Sequence, residues 1–324
     1  MDARSLHAEA LVVDAHADIP CDVRIRRRAG ETQVLRRRHL PRLRAGGITA
    51  VVFAIYLTPY MPESALREAL LMIDDLYQEI AESGNDLYLV RAAADLIERR
   101  SESLAIMLSL EGAEPIGLDL GILRLLHQLG LRALGLTWAR RNAVADGNRE
   151  EHTGGGLTQF GREVVRECGR LGILVDVSHL STAGFWDVLR LVDGPVIASH
   201  SNARALCDHP RNLTDDQLRA LASVGGVVGI NACPDFVDRT LPSLDRLLDH
   251  ADHIASVMGT DRVGLGLDLL EYLPGYENTR LAGLADASET SAITIRLAER
   301  GASEYEIRDL LGRNWLRVWQ RVIG

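Results

Sequence analysis

The sequence predicts a single-domain (β/α)8 barrel of the TIM type spanning residues 1–324. Two observations predict it. Short apolar, β-branched runs alternate with helical periodicity along the whole chain, and most of the runs end in a polar group. Near-continuous apolar strands are buried on both faces, as in parallel sheets covered by helices. A doubly wound open sheet explains the alternation equally well, but it spreads strand ends along an edge. A barrel gathers them at one mouth, where active sites sit.

The runs occupy residues 10–18, 48–57, 104–111, 132–138, 173–179, 195–200, 226–231 and 262–268. The clearest helical stretches between them are 63–83, 158–171, 181–192, 214–224 and 243–258. Two begin with cap signals, Ser181 just after His179 and Thr214 just before Asp215 and Asp216. No long linker or low-complexity stretch interrupts the alternation, which favours one barrel over two domains.

Composition narrows the function. With 324 residues, 47% hydrophobic and 25% charged, the chain can bury one core of barrel size. A net charge of −9 gives a nucleic-acid partner no electrostatic basis. The arginine clusters at 24–28 and 36–38 read as solvated faces. Cys21, Cys168, Cys207 and Cys233 are scattered without a CxxC pair, which suits a reducing compartment and packed thiols. The N-terminal residues lack a basic segment followed by an apolar one, and no apolar run approaches the roughly 18 residues of a membrane span. A cytoplasmic protein without membrane contact is expected. The sequence contains no lysine. That removes P-loop, Schiff-base and carbamylated-lysine chemistry, so a bridge between two metals must come from another carboxylate.

The run ends supply such groups. His16 and Asp18 close the first run, Glu111 the third, His179 the fifth, His200 the sixth, Asn231 the seventh and Asp268 the eighth. Two carboxylates and three imidazoles around one mouth suit a pair of borderline divalent ions, zinc first. The i,i+2 spacing of His16 and Asp18 puts both on one strand face. Glu111, beside Gly112, can offer one oxygen to each ion. Asp268 stands as a proton shuttle opposite the metals. Among the other histidines, His250 and His253 read as a helix surface and His152 as a surface loop, while His7, His39, His127 and His209 carry no argument.

With those residues placed, the chain resembles the membrane (renal-type) dipeptidase family, peptidase family M19 of the amidohydrolase superfamily. The resemblance covers nearly the full length through VVDAHADIP, EGAEPI, LGLTWARRNAVAD, GLTQFGREVVRECGRLGILVDVSHLS, PVIASHSNARALCDHPRNLTDDQLRAL, GGVVGIN and DHIASVMGTDRVGLGLD. It implies two Zn2+ per chain, hydrolysis of free dipeptides with tolerance of a C-terminal D-residue, and a homodimer. Residue by residue, His16 and Asp18 match ligands of the first zinc, Glu111 the bridging carboxylate, and His179 and His200 ligands of the second. Asp268 matches the acid/base aspartate, and Arg211 the arginine that takes the substrate's terminal carboxylate, although alone it reads as a surface-loop residue. Asn231 is carried over as a substrate contact.

The chain departs from the family pattern at three places. Trp138 stands where renal-type members have the histidine that polarises the scissile carbonyl; Trp138 can donate its indole N–H or form a wall, and Arg140, Arg141 and Asn142 are alternative donors. Asn231–Ala232–Cys233 replaces a motif ending in tyrosine. LDLLE from Leu267 to Glu271 lacks the second aspartate, which is Leu270. The substrate range is therefore expected to differ. Two rivals stay open: an amidohydrolase acting on N-acyl amino acids, lactones or cyclic amides, and an inactive metal-binding scaffold.

Overall fold

The computed structural model describes residues 2–57, 62–97 and 103–324. Its strands are β1 (Val13–Ala17), β2 (Ala50–Tyr56), β3 (Leu87–Leu89), β4 (Leu104–Glu111), β5 (Leu131–Gly135), β6 (Leu174–Asp176), β7 (Ile197–Ala198), β8 (Val227–Ile230) and β9 (Val263–Leu265). All pairings between them are parallel. Neighbours run β2-β1-β9-β8-β7-β6-β5-β4, and β2 pairs back onto β4 from Ala50 opposite Ala105 to Tyr56 opposite Glu111. That pairing closes the expected eight-strand barrel. β3 was not expected. Its three residues are too short to show a period, and it pairs only with the first half of β4, as a spur at the barrel's lower rim.

The apolar runs form strands because both faces find cover. Outward residues of β2 and β4 such as Phe53, Ile55, Ile106 and Leu108 join the large core beneath the helices. Several inward residues are small. Ala15, Ala50, Ala105 and Ala133 leave room that Trp315 and Trp319 fill from the helix Asn314–Val322. Trp315 is fully buried and donates its indole N–H to Leu265 O at 3.0 Å. A Cβ on Gly264 would fall 2.2 Å from the indole nitrogen, so only glycine admits this floor.

The expected helices appear as Ala65–Glu82, Gln159–Leu171, Thr182–Leu189, Asp215–Ser223 and Leu244–Met258. Ser181 caps its helix by accepting from Gly184 N–H, and Thr214 forms a full capping box with Gln217.

Three expectations need correction. The arginines at 24–28 do not merely face solvent. Arg24 binds Asp75 and Glu68, and Arg27 binds Glu79 and Glu82, lacing the helix Ile19–Arg28 to Ala65–Glu82. His250 is fully buried rather than on a helix surface, because its face of the helix packs inward. Its Nδ1 accepts from Ala203 N–H and its Nε2 donates to Val237 O, which anchors the loop after β7. The fourth, fifth, sixth and eighth runs also overshoot, since the strands stop at Gly135, Asp176, Ala198 and Leu265. Beyond Asp176 and Ala198, Ser178 N–H and Ser199 N–H donate to the Asp176 carboxylate instead of to a strand.

Candidate metal centre

Every residue expected at the mouth lies at or just beyond the C-terminal end of a barrel strand. His16 is near the end of β1. Asp18 follows it at the N-cap position of the helix Ile19–Arg28, yet its carboxylate makes no capping hydrogen bond. Glu111 is the last residue of β4. His179, His200, Asn231 and Asp268 follow β6, β7, β8 and β9. His179 (φ 66°) and Asp268 (φ 52°) adopt left-handed backbone, which few side chains tolerate and which turns both toward the mouth.

The side chains converge. Glu111 Oε1 is 2.9 Å from His179 Nε2 and 3.5 Å from His200 Nε2, while its Oε2 is 3.8 Å from His16 Nε2. One carboxylate therefore straddles two groups of imidazoles. His16 Nε2 is also 3.8 Å from Asp18 Oδ1 and 4.0 Å from Asp268 Oδ1. The rings of His16 and His200 stack at 3.7 Å. That approach needs glycine nearby: a Cβ on Gly266 or Gly229 would fall within 1.7 or 2.0 Å of Ser199 O.

Burial sets the charge states. Burial, then Arg211, pulls His16 down to about 3, and burial followed by Arg211 also holds His179 well below the usual range. His200 is also well below it, through burial and then His16. All three are neutral imidazoles near pH 7. Burial, then the neighbouring carboxylates, pushes Glu111 and Asp18 well up. Asp268 is raised to about 6 by burial, against its bond from Asn231 and the charge of Arg211. His16 Nε2 and Asp18 Oδ1 are buried with no hydrogen-bond partner among the described residues. His179 Nε2 and His200 Nε2 face each other at 2.9 Å. Buried lone pairs and carboxylates crowded in this way fit divalent cations. Two overlapping sets of ligand atoms, His16–Glu111–His200 and His16–Asp18–Asp268, each lie within 4.8 Å.

These features have counterparts in known proteins. The family model for membrane dipeptidase (peptidase family M19) matches residues 1–323. This chain belongs to the membrane dipeptidase family, M19. An uncharacterized dipeptidase of Schizosaccharomyces pombe is 33% identical, over 96% of this chain and 80% of the relative. The M19 metallopeptidase dipeptidase AC superposes with a TM-score of 0.89 at 32% identity, covering 97% of this chain and 99% of the other. A metallopeptidase of Rhodobacter sphaeroides, solved with a phosphinate mimic of L-Ala-D-Ala, gives 0.88 at 31% identity, with 97% and 99% covered.

Other side chains surround this candidate centre. Arg211 is 5% exposed, not a surface-loop residue. It donates to His200 O at 2.8 Å and to Ser201 Oγ at 3.3 Å, and its Nε is buried without a partner among the described residues. The loop carries it inward because Asn212 is tied to Cys207 O and Phe236 O. Asn231 Nδ2 donates to Asp268 Oδ2 at 3.0 Å, so its amide is engaged by the aspartate rather than open to a substrate. Trp138 is half-buried between the Tyr56 ring (5.4 Å) and the His179 ring (5.9 Å), with the Arg149 guanidinium 4.9 Å over its face. Of the alternative donors, Arg141 is held by Asp146, and the Asn142 side chain donates to Leu136 O and accepts from Val144 and Ala145.

Sequence reasoning missed a cavity of about 390 Å³ on the β1–β2 side. Its walls include Cys21, Ile25, Tyr56, Ala65, Met72 and Leu273, and apolar atoms dominate them. Cys21 lies one helical turn beyond Asp18 and donates its thiol to Tyr56 O, while Tyr56 pairs with Glu111. The cavity thus adjoins the centre. Asp14, Asp176 and Ser199, beneath the centre, were missed as well; their only signal is their spacing from His16, His179 and His200.

Proposed function

We propose that this chain is a binuclear zinc dipeptidase acting on free dipeptides, with residues 1–324 as one catalytic domain. The observation that carries this reading is Glu111, which reaches His179 and His200 with one oxygen and His16 with the other. His16 and Asp18 would hold one ion, His179 and His200 the other, and Glu111 both. Bound there, the ions would polarise the scissile carbonyl and lower the pKa of the attacking water.

The protein's own groups do the rest. Asp268, made more basic by burial yet still mostly a carboxylate near neutral pH, takes the proton from the attacking water and returns it to the leaving amine. Asn231 fixes the oxygen that is not engaged in that exchange. Arg211, a buried cation with an unpartnered N–H, would hold the terminal carboxylate. The ring order places Arg211, after β7, across the barrel from Tyr56, which ends β2. One path passes β1, β9 and β8, the other β4, β5 and β6. A dipeptide anchored at Arg211 and spanning the metals would point its N-terminal side chain at the cavity beside Tyr56, which suits a bulky apolar residue. The phosphinate mimic bound by the Rhodobacter sphaeroides relative supports a D-residue in the C-terminal position.

Metal analysis paired with a substrate panel tests the reading. We expect two zinc ions per chain and turnover of L,L- or L,D-dipeptides. Turnover of N-acyl amino acids or lactones with none of dipeptides, or full zinc occupancy with no turnover at all, would overturn it.

A further inference from the structure

Two buried carboxylates beneath the mouth make the same pattern of bonds. Asp14 is 3% exposed, and its Oδ1 accepts from His16 N–H (3.3 Å), two residues along its own strand, and from Leu267 N–H (2.8 Å) on the neighbouring chain segment. Leu267 immediately precedes Asp268, whose N–H donates to His16 O. Asp176 is 7% exposed, and its Oδ1 accepts from Ser178 N–H (2.9 Å), again two residues along, and from Ser199 N–H (3.0 Å) across the sheet. Ser199 immediately precedes His200. Each carboxylate therefore replaces a rung of the ladder where the strands part, and fixes the segment from which a mouth residue projects.

At Asp176 the pattern extends to a side chain. Ser199 O–H donates to Asp176 Oδ2, and Ser199 Oγ lies 2.7 Å from His200 Nδ1. A hydroxyl has one hydrogen to give. With that hydrogen on Asp176, Ser199 Oγ can only accept from the imidazole, so Nδ1 carries the proton. Nε2 then keeps its lone pair, and it is Nε2 that faces His179 and Glu111.

We propose that Asp14 and Asp176 are a matched pair of positioning carboxylates, and that the Asp176–Ser199 link sets the His200 tautomer so that Nε2 faces the metal. The pair touches neither substrate nor metal. Asp14 acts through backbone alone, on His16 and Asp268; Asp176 acts through backbone and through one hydroxyl. The proposal rests on the metal reading given above.

The test uses the full chain as wild type, Ser199→Ala, Ser199→Thr, Asp176→Asn and Asp14→Asn. Long-range proton–nitrogen NMR of the metal-free proteins reads the His200 tautomer. Chelator competition reads zinc affinity, and the cobalt(II) spectrum reads ligand geometry. We expect the proton on Nδ1 in wild type and Ser199→Thr, a mixture of tautomers in Ser199→Ala, and a shift toward Nε2 in Asp176→Asn, whose amide N–H would donate to Ser199 Oγ and free the hydroxyl hydrogen for His200 Nδ1. The last two should lose about 10- to 100-fold in affinity for one of the two ions, since outer partners of metal-bound histidines have effects of that order. Asp14→Asn puts a weaker, neutral acceptor opposite both N–H groups and should lower affinity for the ion held through His16 while leaving the His200 tautomer as in wild type; unchanged affinity for that ion would remove Asp14 from the pair. A wild-type tautomer and affinity in Ser199→Ala overturns the proposal, as does failure of Ser199→Thr to restore them. A wild-type protein that binds no metal while showing the expected tautomers overturns the metal reading instead.

Discussion

His179 Nε2 and His200 Nε2 point at each other across 2.9 Å, and neither ring is protonated near neutral pH. Without a cation, one Nε2 must spend its hydrogen on the other ring or on Glu111; with both Nε2 atoms bare, the two lone pairs repel unless a cation lies between or beside them. Metal ions should therefore contribute to folding as well as to chemistry. Chelation should lower the thermal midpoint, by the equivalent of about 4 kcal/mol if the ions were present at a thousand times their dissociation constant. An unchanged midpoint after complete removal of metal would contradict the centre.

The metal-free protein should also respond to acid through its imidazoles. His16 titrates at about 3 when folded, below the usual 6.5. Between those values the unfolded chain binds a proton that the native state refuses, so this group's stabilisation is present above pH 6.5 and lost as pH falls toward 3. The raised carboxylates Glu111 and Asp18 work in the opposite sense, so the informative quantity is a difference. Urea midpoints of wild type relative to His16→Asn should fall between pH 7.5 and 5. A constant difference would remove His16 from the account.

Asp268 and Asn231 should separate in kinetics. Asp268→Asn should keep both metals and lose on the order of 10²- to 10⁴-fold in kcat. Asn231→Ala should cost less, but removing a bond that favours the charged carboxylate raises the Asp268 pKa. Since the base form takes the first proton, the acid limb of kcat/KM should move to higher pH. A limb that stays in place would detach Asn231 from Asp268.

Arg211→Ala should raise KM and lower kcat/KM for dipeptides by on the order of 100-fold, the cost of losing a buried charge-assisted contact. A dipeptide amide lacks the carboxylate, so its already slow hydrolysis should be little changed. Equal losses on acid and amide would assign Arg211 to holding His200 O rather than substrate.

The cavity beside Tyr56 makes a size prediction. Ala65 is 4% exposed in its wall. Ala65→Leu should spare Gly-Ala and slow Phe-Ala by about 10- to 200-fold, the range that a methylene or two commands in an apolar pocket. Uniform loss on both substrates would place the N-terminal side chain elsewhere.

Much of this was legible from sequence because it depends on local period and on strand ends. Glu111 and the first-run pair His16 and Asp18 sit where an apolar run stops, and barrel topology then brings them together. Arg211 was not legible from its own segment: its burial depends on Asn212 bonding Cys207 and Phe236, which no periodicity records. His250 misled because charged Asp249 and Asp252 flank it, although at helical spacing its own face points to the core. Asp14 and Asp176 were hidden inside strands, where an aspartate opposes the apolar pattern and only the partner N–H groups explain it. The cavity arises from three segments, after β1, β2 and β9, and has no sequence signature.

Trp315 and Trp319 have a further consequence, for the order in which the molecule can be made. Every barrel strand leaves the ribosome before the helix that carries these two rings. Until then Ala15, Ala50, Ala105 and Ala133, with Met107, Leu174 and Ile197 of the same cluster, lack the two rings they pack against. The floor of the barrel is therefore completed by the chain's last helix, so a chain cut short before Asn314 would expose these apolar residues rather than miss a strand.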